Sequence, residues 1–426
     1  MKRCFYTIMF SYITVAMAQG GASQNQSIPI ICDAVKNYDQ NNYITNVEDR
    51  LFTKAEFNYY WGISDEDRRY LDELQLMIKK YGINIIALPI PYQAALYIND
   101  RNNPAPDKYN PKQAISNYRA QVKNLNDHGF IAIDLQEIAF KMPQGVDFFA
   151  KRDHHWTGDG MEKVADNVKL VVDKLNLGFD RTSVTTLTRK MTDYPGALAE
   201  DLARSCGYTF PIPEKRVFYD LSIKSKESLL GETNNDVVLL GDSYSTSYFG
   251  FDKILSDRLK TPVTSVGING GGCCASINGF FAEMRPNDAK PKLLIWTALM
   301  VLTNANESRE LKPSIYQAYQ ENKPIKETVL LQSTATSFNI NQKLDKNSRY
   351  YIKFKTSGPK VEEMRFKLNY GDQNEDITLY RKNEAQKSSY TSNFFYELKP
   401  GTDIISTIST SFTDKTDVTI SLYKYN

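Results

Sequence analysis

Apolar residues return every three or four positions through SDEDRRYLDELQLMIKKYG (residues 64–82). Leu71, Leu74, Ile78 and Tyr81 share one face, Ser64 can cap the start and Gly82 ends the run. INIIALPIP (83–91) is then almost continuously apolar, as a strand covered on both faces must be. The alternation repeats. NPKQAISNYRAQVKNLNDHG (110–129) offers Asn110 as cap and Pro111 at the first helical position, with Ile115, Tyr118, Val122 and Leu125 in register. FIAIDL (130–135) follows as another buried strand. MEKVADNVKLVVDKL carries Met161, Val164, Val168, Val171 and Leu175 on the inner face of a further helix. DVVLLGD (236–242), TSVGI (264–268) and PKLLIW (291–296) read as later strands. Strands of this kind between amphipathic helices predict an α/β fold, a parallel sheet flanked by helices on both faces.

The period changes near residue 305. NESRELKPSIYQAYQENKPIKE reads as a helix or connector. Beyond it YYIKFKTS, MRFKLNY, DITLY, NFFYEL, DIISTIST and DVTISLYKY alternate apolar and polar residues with turns between, which predicts an antiparallel β-sandwich. The start is different again. MKRCFYTIMFSYITVAMAQ has a basic opening, an apolar run and small residues at Ala16 and Ala18, the pattern of a secretory signal peptide cut after Ala18. The expected organisation is a signal peptide over 1–18, an α/β domain over 19–320 and the sandwich over 325–426. An exported, periplasmic protein follows from the first of these.

Composition adds two constraints. With 41% hydrophobic residues, the 426-residue chain can bury a sizeable core, and a net charge of +2 leaves no electrostatic footprint for nucleic acid. After the signal peptide four cysteines remain: Cys32, Cys206, Cys273 and Cys274. In an exported chain an even count suggests disulfides, and four thiols allow three pairings. A bridge between the adjacent Cys273 and Cys274 is geometrically unusual, and both also read as small buried apolar residues.

The chemistry concentrates in KRDHHWTGDG (151–160), which holds two of the chain's three histidines. In an extended segment, Asp153 and His155 would lie on one side and His154 on the other. A carboxylate beside an imidazole orients a general base, and Trp156 could wall the site or pack beneath it. Asp-His-His could also ligate a metal, but such sites need further ligands and only His128 remains, so no metal or cofactor is expected. DVVLLGDSYSTS (236–247) supplies a partner. Its strand delivers Ser243 to the carboxyl edge of the sheet, ahead of a helix-like stretch with Phe251, Ile254, Leu255 and Leu259, whose first N–H groups could stabilise an oxyanion. In GINGGGCCASINGF (267–280), Gly271 and Gly272 are the expected second donors, since a glycine run lets backbone approach a ligand.

With these residues in place, the sequence resembles the exopolysaccharide O-acetyltransferases of the alginate type, the AlgX/AlgJ family, which have an SGNH-hydrolase-like fold. The resemblance rests on ICDAVKNY, EDRLF, GINIIALPIPYQAALY, GFIAIDL, RDHHWTGDG, VVLLGDSYS and the glycine turn, across most of residues 30–300. It implies a catalytic triad of Asp153, His155 and Ser243; beside it Gly271, Gly272 and Trp156 are the expected oxyanion or substrate contacts. It also implies a Cys32–Cys206 disulfide. TALMVL after PKLLIW and CCAS after the glycine run depart from the pattern. The implied activity is acetyl transfer to polysaccharide hydroxyls, with the acetyl donor supplied by a membrane acyltransferase and with other exopolysaccharide assembly proteins as partners. The C-terminal sandwich is similar in architecture to a carbohydrate-binding module, and Tyr350, Tyr351, Tyr390, Phe394 and Phe395 are its expected polymer contacts. An acetyl esterase with the same triad, or a non-catalytic polysaccharide-binding scaffold, remains an alternative.

Overall fold

The computed structural model describes residues 44–425 except 48, 58–64, 100–108, 180–183, 208, 211, 225–235, 271–273, 300–304, 358–362, 371–372, 381–391 and 403. The signal peptide, Cys32, the capping Ser64, Gly271, Gly272, Cys273 and Tyr390 therefore lie outside the described residues.

A hairpin, β1 (Ile44–Val47) and β2 (Arg50–Thr53), leads to the helix Asp65–Tyr81. The central sheet then begins with β3 (Ile85–Ile90) and β4 (Ile131–Ala132). An antiparallel ribbon of β5 (Val184–Tyr194) and β6 (Glu214–Lys224) interrupts it, before β7 (Val237–Gly241), β8 (Val263–Ser265) and β9 (Leu293–Leu299) complete it. The five strands run parallel in the order β4-β3-β9-β7-β8.

Side-chain alternation explains why these strands are apolar throughout. On β3, Ile85 and Ala87 enter a core shared with helices Asp65–Tyr81, Pro111–Asp127 and Ala275–Glu283, whereas Ile86, Leu88 and Ile90 face helices Gly158–Leu175 and Phe251–Leu259. Val238 and Leu240 divide from Val237 and Leu239 on β7 in the same way. Both faces are covered. FIAIDL departs from expectation: only Ile131–Ala132 pairs, at a half-buried edge, because Asp134 accepts the Glu137 N–H and starts the short helix Leu135–Phe140.

The C-terminal part holds β10 (Lys326–Lys343), β11 (Tyr350–Ser357), β12 (Glu363–Tyr370), β13 (Gln373–Tyr380), β14 (Asn393–Glu397) and β15 (Ile404–Lys424). The long β15 pairs with β12 through its first half and β11 through its second, with β10 alongside both. All six strands belong to one antiparallel sheet, and β10 carries register shifts against β15. The sheet's own core holds Ile352, Phe354, Met364, Phe366, Leu368, Phe394, Tyr396, Ile420 and Leu422. The alternate residues Tyr351, Phe395 and Tyr423 point the other way, into the core of the α/β part against Leu74, Ile78, Ile315 and Tyr316. The boundary is also ionic: Arg349 pairs with Glu73 at 2.6 Å and Glu397 at 2.6 Å, and Lys312 bonds both carboxylates. Tyr350, Tyr351, Phe394 and Phe395 are all buried, which corrects their reading as polymer contacts. Strand propensity and sugar stacking use the same aromatic residues, and only burial separates the two uses.

Candidate active site

The segment 149–156 is a closed loop, and this corrects the extended reading of Asp153–His155. Phe149 and Trp156 form a β-bridge, Ala150 N–H donates to the His155 carbonyl at 3.0 Å, and Thr157 N–H donates to the Phe148 carbonyl at 2.9 Å. Thr157 then caps the helix Gly158–Leu175 by accepting the Gly160 N–H. Glycine is required at 160, where a Cβ would stand 2.5 Å from the Phe148 carbonyl oxygen. In this loop His154 does not point away. Its ring centroid lies 4.0 Å from that of His155, and its imidazole is held down at about 4 by burial and by the neighbouring His155.

Asp153 is fully buried. Its Oδ1 accepts the backbone N–H of His155 at 3.1 Å and the ring Nδ1–H at 2.7 Å. With Nδ1 donating, Nε2 is left to accept from the Ser243 hydroxyl, 2.7 Å away. Burial alone would raise the Asp153 carboxyl. The hydrogen bond and charge of His155, with Arg216 and His154, instead hold it well below the usual carboxylate range. The Asp153, His154 and His155 ligand atoms lie within 4.8 Å of one another, but a guanidinium and the His155 N–H groups already occupy both carboxylate oxygens. A dication would have to displace them, so this set does not suit a metal.

The end of β7 presents Ser243. Gly241 has φ 137°, and a Cβ there would sit 2.1 Å from the Thr297 carbonyl oxygen of neighbouring β9, so only glycine lets the chain leave the sheet here. Asp242 accepts the Tyr244 N–H and begins a single 3₁₀ turn, Ser243–Ser245. The helix starts only at Phe251, which corrects the expectation of a helix N-terminus beside the serine. In this turn the Tyr244, Ser245 and Thr246 N–H groups are engaged by Asp242 and Ser243, and among the described residues the Ser243 N–H is left as the donor the turn can offer. Tyr244 ties the two motifs together: its hydroxyl donates to the His154 carbonyl and its ring lies 4.9 Å from that of His155.

Trp156 is fully buried between Tyr244 and Phe251, so it supports the loop from beneath and does not face a substrate. Cys274 is disulfide-bonded. Cys206 ends the helix Ala197–Cys206 with its side chain undescribed, so the Cys32–Cys206 pairing falls outside the described residues.

Sequence reasoning missed Arg216. It sits on β6, buried, with Nη1 donating to Asp153 Oδ2 at 2.8 Å and Nη2 to the Trp156 carbonyl at 3.0 Å. Its guanidinium lies over Phe249 at 4.0 Å and Tyr194 at 4.9 Å. The period-two alternation of VTTLTRKMTDY and EKRVFYDLSIK could have revealed the ribbon, but no local pattern links Arg216 to a carboxylate 63 residues earlier.

A family model described as the SGNH hydrolase-like domain of the acetyltransferase AlgX matches residues 48–299, more than half of the chain. The alginate biosynthesis protein AlgX of Pseudomonas putida is 23% identical over 390 residues, covering 85% of this chain and 80% of that protein. The probable alginate O-acetylase AlgJ of Pseudomonas fluorescens is 27% identical over 159 residues, covering 36% and 40%. The solved structure of Pseudomonas aeruginosa AlgX superposes with a TM-score of 0.76 at 17% identity, covering 91% of this chain and 96% of that one. That likeness bears on the fold, an SGNH-like α/β unit followed by antiparallel β-structure.

Proposed function

Because the chain belongs to the family of AlgX acetyltransferases defined by their SGNH hydrolase-like domain, we propose that it transfers acetyl groups to hydroxyls of an exported polysaccharide through an acyl-enzyme on Ser243. The observation that carries this reading is the continuous hydrogen-bonded line from Asp153 through His155 to Ser243, 2.7 Å at each step.

His155 Nε2 takes the hydroxyl proton as Ser243 Oγ attacks the acetyl carbonyl carbon, and Asp153 stabilises the imidazolium that forms. The Ser243 N–H, with backbone from the glycine turn, would hold the oxyanion. Collapse of the tetrahedral intermediate releases the donor's alcohol, which leaves with the proton from His155. A sugar hydroxyl then gives its proton to the same Nε2, attacks the serine ester and departs acetylated, and Ser243 recovers its proton. The alginate proteins among the relatives support an exported polysaccharide as acceptor, the signal-peptide pattern supports delivery to the periplasm, and a membrane acyltransferase is the donor's expected source.

Full-length protein incubated with an activated acetyl ester should gain the mass of one acetyl group on the peptide containing Ser243, and added glycan should accept that group. Ser243→Ala should gain none, and His155→Ala should fall by orders of magnitude because base and nucleophile act as a unit. Acetylation of Ser243→Ala at the wild-type rate would refute the proposal.

A further inference from the structure

Next to the proposed triad lies an aromatic surface with no task in the acyl chemistry. Tyr248 is 62% exposed. Its ring makes near-perpendicular contacts with Phe249 at 5.0 Å and Phe218 at 5.6 Å. Phe249 lies 4.5 Å from the imidazole of His155. Phe218 belongs to β6, where it meets Tyr194 of β5 at 6.1 Å on the ribbon face that also carries Arg216. A lone exposed aromatic residue needs no explanation. Here two rings fix the tilt of a third, most of which stays in water, and one of the two touches the imidazole. That is a built surface.

We propose that Tyr248, backed by Phe218 and Phe249, is the stacking platform for a pyranose ring of the acceptor polysaccharide. This rests on the transferase reading, whose second half-reaction needs a sugar hydroxyl brought to the serine ester. A pyranose presents a C–H face that an aromatic ring accepts, while its hydroxyls project from the rim. The platform stands one side chain, Phe249, beyond His155. A sugar stacked on Tyr248 would bring its neighbour along the polymer toward the His155 ring, whose Nε2 must take the hydroxyl proton. The ribbon also explains how the surface is held: Arg216 pins Asp153 and stacks on Phe249, so the same strand supports the triad and the platform.

Calorimetric titration of mannuronate and cello-oligosaccharides into the full-length Ser243→Ala protein reads binding without turnover. One series is expected to bind. The Kd should rise about tenfold when Tyr248→Ala is added, the weight of one aromatic contact, and should be restored by Tyr248→Trp. Leu76→Ala removes a comparably exposed apolar side chain, 67% exposed, from the helix Asp65–Tyr81 and should leave the Kd unchanged. Equal affinity with and without the Tyr248 ring, or no binding of either series to protein that melts as the parent does, overturns the platform. Absence of a Ser243 acyl-enzyme with Tyr248-dependent binding intact would instead overturn the acetyl-transfer reading and leave a glycan site.

Discussion

Arg216→Met removes the cation that faces Asp153 while keeping an apolar side chain between Phe249 and Tyr194. Asp153 is 0% exposed and Arg216 3% exposed, so the carboxylate would be left as an uncompensated buried charge. Such a loss costs about 3–5 kcal/mol. The cation–π contacts at 4.0 and 4.9 Å add roughly 1 kcal/mol. Against a total stability of about 5–15 kcal/mol this is a large fraction, and the melting temperature at pH 7 should fall by roughly 5–7 °C.

Its pH dependence separates charge from packing. In the wild type the Asp153 carboxyl is depressed, so its contribution is present above the ordinary carboxyl value and is lost only as pH falls through its low native value. Removing Arg216 leaves burial less opposed and moves the carboxyl upward. The deficit of Arg216→Met relative to wild type should then be full at pH 8 and shrink only as pH falls toward the raised carboxyl value, which the retained His155 contacts still hold down. Arg216→Lys keeps the charge but not the fork that holds Asp153 and the Trp156 carbonyl together, and should recover only part. Urea denaturation of all three proteins at pH 8, 5 and 3 measures this. A deficit that is constant across that range, or below ~1 kcal/mol, would refute the assignment of Arg216 as the counter-charge of Asp153.

Glu56 is buried, which pushes its carboxyl up to about 7, so the fold loses stability as pH rises from the ordinary carboxyl range through 7. Glu56→Gln should gain on the wild type by roughly 3 kcal/mol between pH 4 and pH 8, read by denaturation at both values. His154, held at about 4, stays neutral in the fold, so stability should fall as pH drops from about 6.5 toward 4, and His154→Gln should flatten that slope. Deleting residues 325–426 should yield aggregated protein, since Tyr351, Phe395 and Tyr423 complete the core of the α/β part, and losing three such side chains removes roughly 5–9 kcal/mol. A soluble truncation with a wild-type melting temperature would show that the shared core is dispensable.

Much of the layout is legible along the chain because it depends on short-range periodicity. Continuous apolar runs identify strands buried on both faces, as at Ile85–Ile90 and Val237–Gly241, and Asn110 with Pro111 marks a helix start through hydrogen bonds made within four residues. FIAIDL misleads for a related reason: apolar content alone does not distinguish a central strand from a two-residue edge followed by the helix that Asp134 caps. The residues of the proposed triad stand out because few side-chain types can carry out acyl transfer and this chain has only three histidines. They meet across 88 residues because β7 ends at Gly241 beside the loop that holds His155.

By itself, then, the sequence determined most element types, the all-β character of the chain beyond Lys326, and the residue types available for chemistry. Those properties follow from propensity, periodicity and local capping. Which side chains meet was decided only by the tertiary structure. The closed loop at Phe149–Trp156 turns His154 onto His155 and buries Trp156. The ribbon register sets Arg216 against Asp153. Two alternating faces of the C-terminal sheet send Ile352 into one core and Tyr351 into another. Burial and charge pairing between segments dozens to hundreds of residues apart come from how the layers pack, and no local window of sequence contains that.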